Sequence, residues 1–256
     1  ATGGTEIALR AADLGGGPGP LYCRIGSEVL PATSELRQQL VRCRTPQGEA
    51  STIQLVEVSL NGQQYHAAQA VQFSYYDPPR MLSISPSSGT VLGQTMVTIA
   101  GSGFVSAFAN LCRWGNLTTK IAFLNSSHII CPSPQAPVGR RSVEVTMNGQ
   151  QYTNDGLSFG FYLAPHVYRL SVPGTEGEFN SWLDPKVTLP QAGYVLVRVW
   201  GTGFMGGTDY RCLINNATVE DYLEATYDAR LDAILCWSNR WVDGTNAVEV
   251  TLNGRE

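Results

Sequence analysis

Three segments alternate apolar and polar residues in the same register and end in the same pair: Val56-Glu57-Val58-Ser59-Leu60-Asn61-Gly62, Val143-Glu144-Val145-Thr146-Met147-Asn148-Gly149 and Val248-Glu249-Val250-Thr251-Leu252-Asn253-Gly254. Such alternation sets one face of a strand against a core and the other in water. Asn-Gly supplies two positive-φ positions, so each repeat is expected to close with a tight hairpin. Two more strands, Thr95–Ile99 and Val195–Val199, run into Gly101-Ser102-Gly103-Phe104 and Gly201-Thr202-Gly203-Phe204. There the glycines permit a sharp bend or bulge while the phenylalanine turns into the core. The first repeat keeps the strand, Thr5–Leu9, but continues as Ala11-Ala12-Asp13-Leu14 and has no Gly-x-Gly-Phe.

The Asn-Gly pairs recur with a period of 87 to 105 residues in a chain of 256, which implies three small domains, 1–76, 77–162 and 163–256. With 27 glycines, 14 prolines and no sustained 3.6-residue apolar period, the modules read as all-β. The second repeat opens on Pro79–Gly89, a segment the first lacks, and the first two end on strands Phe73–Tyr76 and Phe159–Tyr162 that the third does not reach. The first and last domains are therefore expected to be incomplete, and the chain to be part of something longer. Asp77-Pro78-Pro79-Arg80 and Leu163-Ala164-Pro165-His166 join the repeats, and their prolines favour stiff joints and a rod-like array.

Each repeat carries two of the six cysteines: Cys23 and Cys43, Cys112 and Cys131, Cys212 and Cys236. Six cysteines allow fifteen pairings, and the layout favours the three local ones, since each repeat is then stapled without its neighbours. A bridge of that loop length is worth about 3 kcal/mol, a large share of the stability of a module this small. No two cysteines form the close knuckle of a structural zinc site, so disulfides and an oxidising compartment are expected and no metal.

The net charge of −4 lacks the basic footprint of nucleic-acid binding. No apolar run is long enough for a membrane helix, so no direct membrane insertion by this segment is expected. Gly201-Thr202-Gly203-Phe204-Met205-Gly206 matches a dinucleotide fingerprint in letters. A strand-like segment, Tyr210–Ile214, follows it where that fold needs a helix, so it reads as a turn. His66, His128 and His166 fall at unrelated positions, no Gly-x-Ser-x-Gly elbow occurs, and Glu176, Glu178, Glu220 and Asp221 lack the spacing of a calcium loop. Catalytic residues and cofactors are expected to be absent.

Three sequons, at Asn116, Asn125 and Asn216, make N-linked glycans an expectation, and Asn116 and Asn216 each lie four residues after the first cysteine of their repeat. The third repeat has the longest stretch between its cysteines. Tyr222 and Tyr227 there, with nearby Trp237 and Trp241, are candidates for a partner contact. The competing reading is that the tryptophans fill the sandwich core.

Pro86-Ser87-Ser88-Gly89-Thr90, Gly93-Gln94-Thr95, Gly101-Ser102-Gly103-Phe104, Cys112, Cys131 and Asn148-Gly149 together resemble the IPT/TIG module. The resemblance extends well into the third repeat and weakens in the first. It implies tandem immunoglobulin-like β-sandwiches, and its cysteine-paired form is similar to modules in the ectodomains of plexins, hepatocyte growth factor receptor kinases and fibrocystin-like ciliary surface proteins. The function implied is a non-enzymatic segment of an extracellular or cell-surface glycoprotein. It would serve as a semi-rigid stalk that docks other protein domains or further copies of itself, as on a cilium, a flagellum or a mating surface. An accessory, non-catalytic region of a large secreted carbohydrate-active enzyme is the alternative.

Overall fold

The computed structural model describes residues 2–10, 19–107, 109–172, 195–214, 223–238 and 247–254. Apart from one 3-10 turn, Leu36–Gln38, its regular structure is all strand. By packing, the chain divides into two compact units. The first is Ala1–Arg80 with Ala107–Ala109 and Thr146–Thr153, and the second is Met81–Ser106, Asn110–Val145 and Asn154–Glu256.

The first unit contains β1 (Glu6–Arg10), β2 (Tyr22–Ile25), β3 (Glu28–Pro31), β4 (Thr33–Glu35), β5 (Leu40–Arg44), β6 (Ile53–Ser59) and β7 (His66–Ser74). They form two sheets, ordered β1-β5-β4 and β3-β2-β6-β7. Cys23 on β2 and Cys43 on β5 are bonded across the gap with Cα atoms 6.3 Å apart, and Val41 is buried beside them. Ile7, Leu9, Ala32 and Val58 pack against that centre.

The second unit begins with β8 (Arg80–Ser85), β9 (Ser88–Thr90), β10 (Met96–Ser102), β11 (Leu111–Trp114), β12 (Leu117–Lys120), β13 (Ala122–Asn125), β14 (His128–Pro132), β15 (Gly139–Thr146) and β16 (Ser158–Tyr162). Sheet β13-β14-β10-β8 faces sheet β12-β11-β15-β16-β9, and Cys112 on β11 is bonded to Cys131 on β14. Strand alternation sends Val97 and Ile99 inward, with Ile129 opposite Ile99, and Val143 and Val145 are buried as well. Trp114 is fully buried, edge-on to Phe159 with centroids 5.2 Å apart. Its Nε1 donates to Thr119 Oγ1 at 2.9 Å, which satisfies the one polar atom it takes inside.

The same unit continues with β17 (His166–Ser171), β18 (Val195–Thr202), β19 (Arg211–Ile214), β20 (Leu223–Asp228), β21 (Ala233–Ser238) and β22 (Val248–Thr251). Here the two layers are continuous, in the order β17-β18-β21-β20-β19-β22, because β20 pairs with β19 at its start and with β21 along the rest. Cys212 and Cys236 join β19 to β21 with Cα atoms 6.1 Å apart. Val195, Val197, Val199, Phe204, Ile214, Ile234 and Leu252 fill the core.

The glycine phrases behave as bends that seat the phenylalanine. Gly103 and Gly203 have φ of 72° and 78°, and Phe104 and Phe204 are buried. Met205-Gly206 leads on to strand β19, so the nucleotide-like letters form a turn.

The Asn-Gly pairs differ from the expected tight turn. β6 and β7 are antiparallel, but Leu60–Tyr65 separate them, and only the glycine of each pair has positive φ: Gly62 at 73°, Gly149 at 74° and Gly254 at 74°. The reason is a hydroxyl two residues before the asparagine. Ser59 Oγ accepts from Gly62 N at 2.8 Å, and Asn61 Oδ1 then accepts from Gln63 N at 2.9 Å and Gln64 N at 3.0 Å. Thr146 and Asn148 repeat the pattern at 3.0, 3.0 and 3.1 Å. The asparagine acts as a side-chain cap, which leaves its own backbone in an ordinary conformation.

Candidate interaction surfaces

β18 reads Val195-Leu196-Val197-Arg198-Val199-Trp200, so burying its valines turns Leu196, Arg198 and Trp200 outward. Residues directly opposite in an antiparallel pair share a face. The register with β21 sets Leu196 against Trp237, Arg198 against Leu235 and Trp200 against Ala233. β17 adds Arg169 opposite Trp200 and Ser171 opposite Arg198. The outer face of this sheet thus gathers two tryptophans, two leucines and two arginines. Trp237 is 55% exposed and stands outside the core. Trp200 is held by an Nε1 bond to Ser171 Oγ of 2.7 Å, and the Arg169 guanidinium lies 5.9 Å from its ring centroid, in cation–π range. Arg198 Nε is shielded from solvent and, among the described residues, has no hydrogen-bond partner.

The corresponding strand pair of the preceding sandwich is lined differently. Val97 opposite Cys131 matches Val197 opposite Cys236, and on that register the outward pairs are Met96 with Pro132, Thr98 with Ile130 and Ala100 with His128. None of these six residues is a tryptophan or an arginine.

Tyr227 lies on the opposite side of its sheet from Trp237, across from buried Ile234. Its ring stacks on Tyr210 at 5.7 Å and 17°, and its hydroxyl donates to Asp232 Oδ1 at 2.9 Å. That bond to a carboxylate raises the phenol above its usual range, with burial adding to the effect. The Tyr210 phenol is raised by burial, and its hydroxyl donates to the Phe204 carbonyl at 2.8 Å. The structure therefore places Tyr227 and Trp237 on two different surfaces. Tyr222, Trp241, Asn216 and the carboxylates Glu176, Glu178, Glu220 and Asp221 lie outside the described residues.

Asn116 is exposed in the turn between β11 and β12, and Asn125 is exposed at the end of β13. Asn125 Oδ1 accepts from the Ser127 backbone and hydroxyl, both at 2.9 Å. A cleft of about 100 Å³ in the first unit is lined by Thr45, Phe73, Tyr75, Tyr76, Pro79 and Tyr152, among others. It is below the roughly 300–1,000 Å³ of small-molecule sites. A second depression, open and apolar, of about 370 Å³, adjoins Cys43, and Arg42 on its wall is already paired with Glu6 and Glu35. Among the described residues no three His, Cys, Asp or Glu side chains converge on a metal-sized point.

One recurring cross-strand ion pair escaped the sequence reading. Arg24 faces Glu57 across β2 and β6, and Arg113 pairs with Glu144 across β11 and β15, with an Nε to Oε2 distance of 2.6 Å. In both repeats an arginine follows the first cysteine and the glutamate sits inside Val-Glu-Val, so the signal lay in the repeat itself. The third repeat has Leu213 where the others have arginine, and Leu213 is opposite Glu249.

Residues 79–161 match the IPT/TIG domain family, and the central repeat is an IPT/TIG domain. The cysteine bridge between layers recurs in the repeats on either side; the capped Asn-Gly turn recurs in the first, and in the third Thr251 Oγ1 accepts from the Asn253 N–H. Among individual proteins, Fibrocystin-L of Mus musculus is 29% identical over 106 residues, 40% of this chain and 2% of that protein. Fibrocystin-L of Homo sapiens is 30% identical over 122 residues, 46% of this chain and 3% of that protein. The chain thus spans only a few per cent of the length of these relatives. The extracellular region of plexin A4 aligns over 99% of this chain and 20% of its own, with 15% identity and a TM-score of 0.47.

Proposed function

We propose that this chain is a non-catalytic segment of an extracellular or cell-surface glycoprotein, a semi-rigid stalk whose modules present surfaces to other protein domains. The observation that carries this reading is the disulfide in every repeat, each joining opposite layers of a sandwich. Three such bridges suit an oxidising compartment and resistance to unfolding under load. The proline-bearing joints at 77–80 and 163–166 support stiffness, and exposed Asn116 and Asn125 support glycan attachment.

The recognition surface that we assign is the outer face of the third sandwich. Trp237 offers a large apolar contact, while Arg198 and Arg169 offer cations beside it. A protein partner with an apolar side chain flanked by carboxylates complements that face. Peptide mapping of native, non-reduced material tests the reading. Cys23–Cys43, Cys112–Cys131 and Cys212–Cys236 peptides, with sugar on Asn116 or Asn125, are expected. Free thiols at these positions in native material would overturn it.

A further inference from the structure

The residues Asn61-Gly62-Gln63-Gln64-Tyr65 and Asn148-Gly149-Gln150-Gln151-Tyr152 are identical in sequence, and their turns carry the same set of hydrogen bonds. In the first unit, the second of these turns reads a strand edge. Gln150 Oε1 accepts the Glu6 N–H at 2.8 Å, and Gln150 Nε2 donates to the Glu6 carbonyl at 2.7 Å. Thr5 Oγ1 adds a bond of 3.3 Å to Gln151 Oε1. One side-chain amide thus satisfies both backbone groups of a residue on β1, which pairs on its other side with β5 and is the outer strand of its sheet. An open strand edge exposes such groups to unwanted pairing, and the glutamine blocks it.

In the second unit, the third Asn-Gly turn makes a related contact. Asn253 Nδ2 donates to the Ser88 carbonyl at 3.4 Å, and Ser88 Oγ bonds Thr208 Oγ1 at 2.8 Å. Ser88 lies on β9, again the outermost strand of its sheet. Two of the three Asn-Gly turns therefore rest on edge strands. Gln63 is exposed, and among the described residues its side-chain amide has no partner.

We infer that Asn61–Tyr65 is a docking tip whose Gln63 amide pairs with the backbone of a free edge strand on a further β-sandwich module tethered to the same polypeptide. A second copy of this chain offers neither of the strands that the other tips read, because β1 and β9 are already covered. Magnitude decides the tether. Two hydrogen bonds exchanged against water shift an equilibrium roughly 5- to 150-fold, whereas holding even a free millimolar partner takes about a thousandfold. Such a tip acts only where a linker already supplies a millimolar effective concentration, and there it selects one orientation of the joint. This inference rests on the reading of the chain as part of a tandem scaffold.

The test is an NMR comparison of glutamine side-chain amides, 15N-labelled, in this chain and in the longer parent polypeptide that carries the residues ahead of Ala1. In the chain alone, Gln150 amide protons are expected to exchange with water about tenfold more slowly than those of Gln63. In the longer polypeptide Gln63 is expected to slow by a similar factor, and Gln63→Ala to broaden the distribution of the upstream joint without lowering the melting temperature of the first repeat. A Gln63 that exchanges equally fast in both polypeptides while Gln150 stays slow overturns the inference. So does a Gln150 as fast as Gln63, or a parent with no β-sandwich ahead of Ala1. None of these outcomes touches the disulfide mapping, so the failure of this inference is distinguishable from the failure of the scaffold reading.

Discussion

The Arg24 guanidinium on β2 donates to the carboxylate of Glu57 directly across on β6, and it also lies 4.3 Å from the centroid of the Tyr65 ring. The hydrogen bond from Arg24 holds the Glu57 carboxyl below its usual range, against the opposing effect of burial. A depressed carboxyl stabilises the folded state above its unfolded value, about 4.3, and that contribution is lost as pH falls through the folded value. Glu57→Gln is therefore expected to lower the melting temperature of the first repeat at neutral pH. The gap to the native protein should close as pH falls below about 4. Calorimetry from pH 7 to pH 2 reads this directly, and a gap that stays constant over the range would count against the pairing.

The Cys112–Cys131 bridge closes a loop of 19 residues between two layers. Replacing both cysteines by alanine is expected to destabilise the central repeat by about 3 kcal/mol through the freedom returned to the unfolded chain. Trp114→Ala removes a fully buried ring that contacts Phe159 and Phe161, and the expected cost is about 3–5 kcal/mol. Denaturant titrations of the two variants should rank them in that order. A tryptophan variant milder than the cysteine variant would show that Trp114 is not the centre of the core.

Strand positions and faces were legible in the sequence because apolar and polar residues alternate along the strands of each repeat, and a period of two has only one way to bury the apolar set. Val197 and Val199 are inside for that reason, and Arg198 and Trp200 are outside. What the letters did not carry was register. Trp237 follows Cys236, so its outward direction was implicit, but its pairing with Leu196 depends on how β21 lies against β18. The turns were misread for a local reason. Asn-Gly is a backbone signal in a two-residue hairpin, whereas Ser59 and Thr146, two residues earlier, convert the asparagine into a side-chain cap. The spacing Ser/Thr-x-Asn-Gly carried that information.

Gly201 on β18 is directly opposite Val167 on β17. A Cβ built on it would sit 2.3 Å from the His166 carbonyl oxygen and 2.3 Å from Phe204 Cζ. The carbonyl belongs to the paired strand and cannot retreat without breaking the ladder. Gly201→Ala is expected to destabilise the third repeat by about 1–3 kcal/mol through strand separation and a displaced Phe204 ring. The reading is a lower denaturation midpoint, with lost amide protection at Val167 and Gly201. Equal stability would mean that the two strands sit farther apart than described.

Trp237 separates surface from core among the tryptophans. It is 55% exposed, whereas Trp114 is fully buried, so the two should respond differently to a quencher dissolved in water. Trp237→Phe is expected to remove a red-shifted emission component and to lower the acrylamide quenching of the whole protein. Its stability should change by no more than about 0.5 kcal/mol, because the ring fills no cavity. A partner that uses this face should lose about 2 kcal/mol of binding, or roughly 30-fold in affinity, with the same variant. Arg198→Ala should weaken the same partner in a salt-dependent way, since the arginine contributes charge where the tryptophan contributes area. Quenching that is unaltered by Trp237→Phe would place the ring inside the sandwich and remove the recognition surface with it.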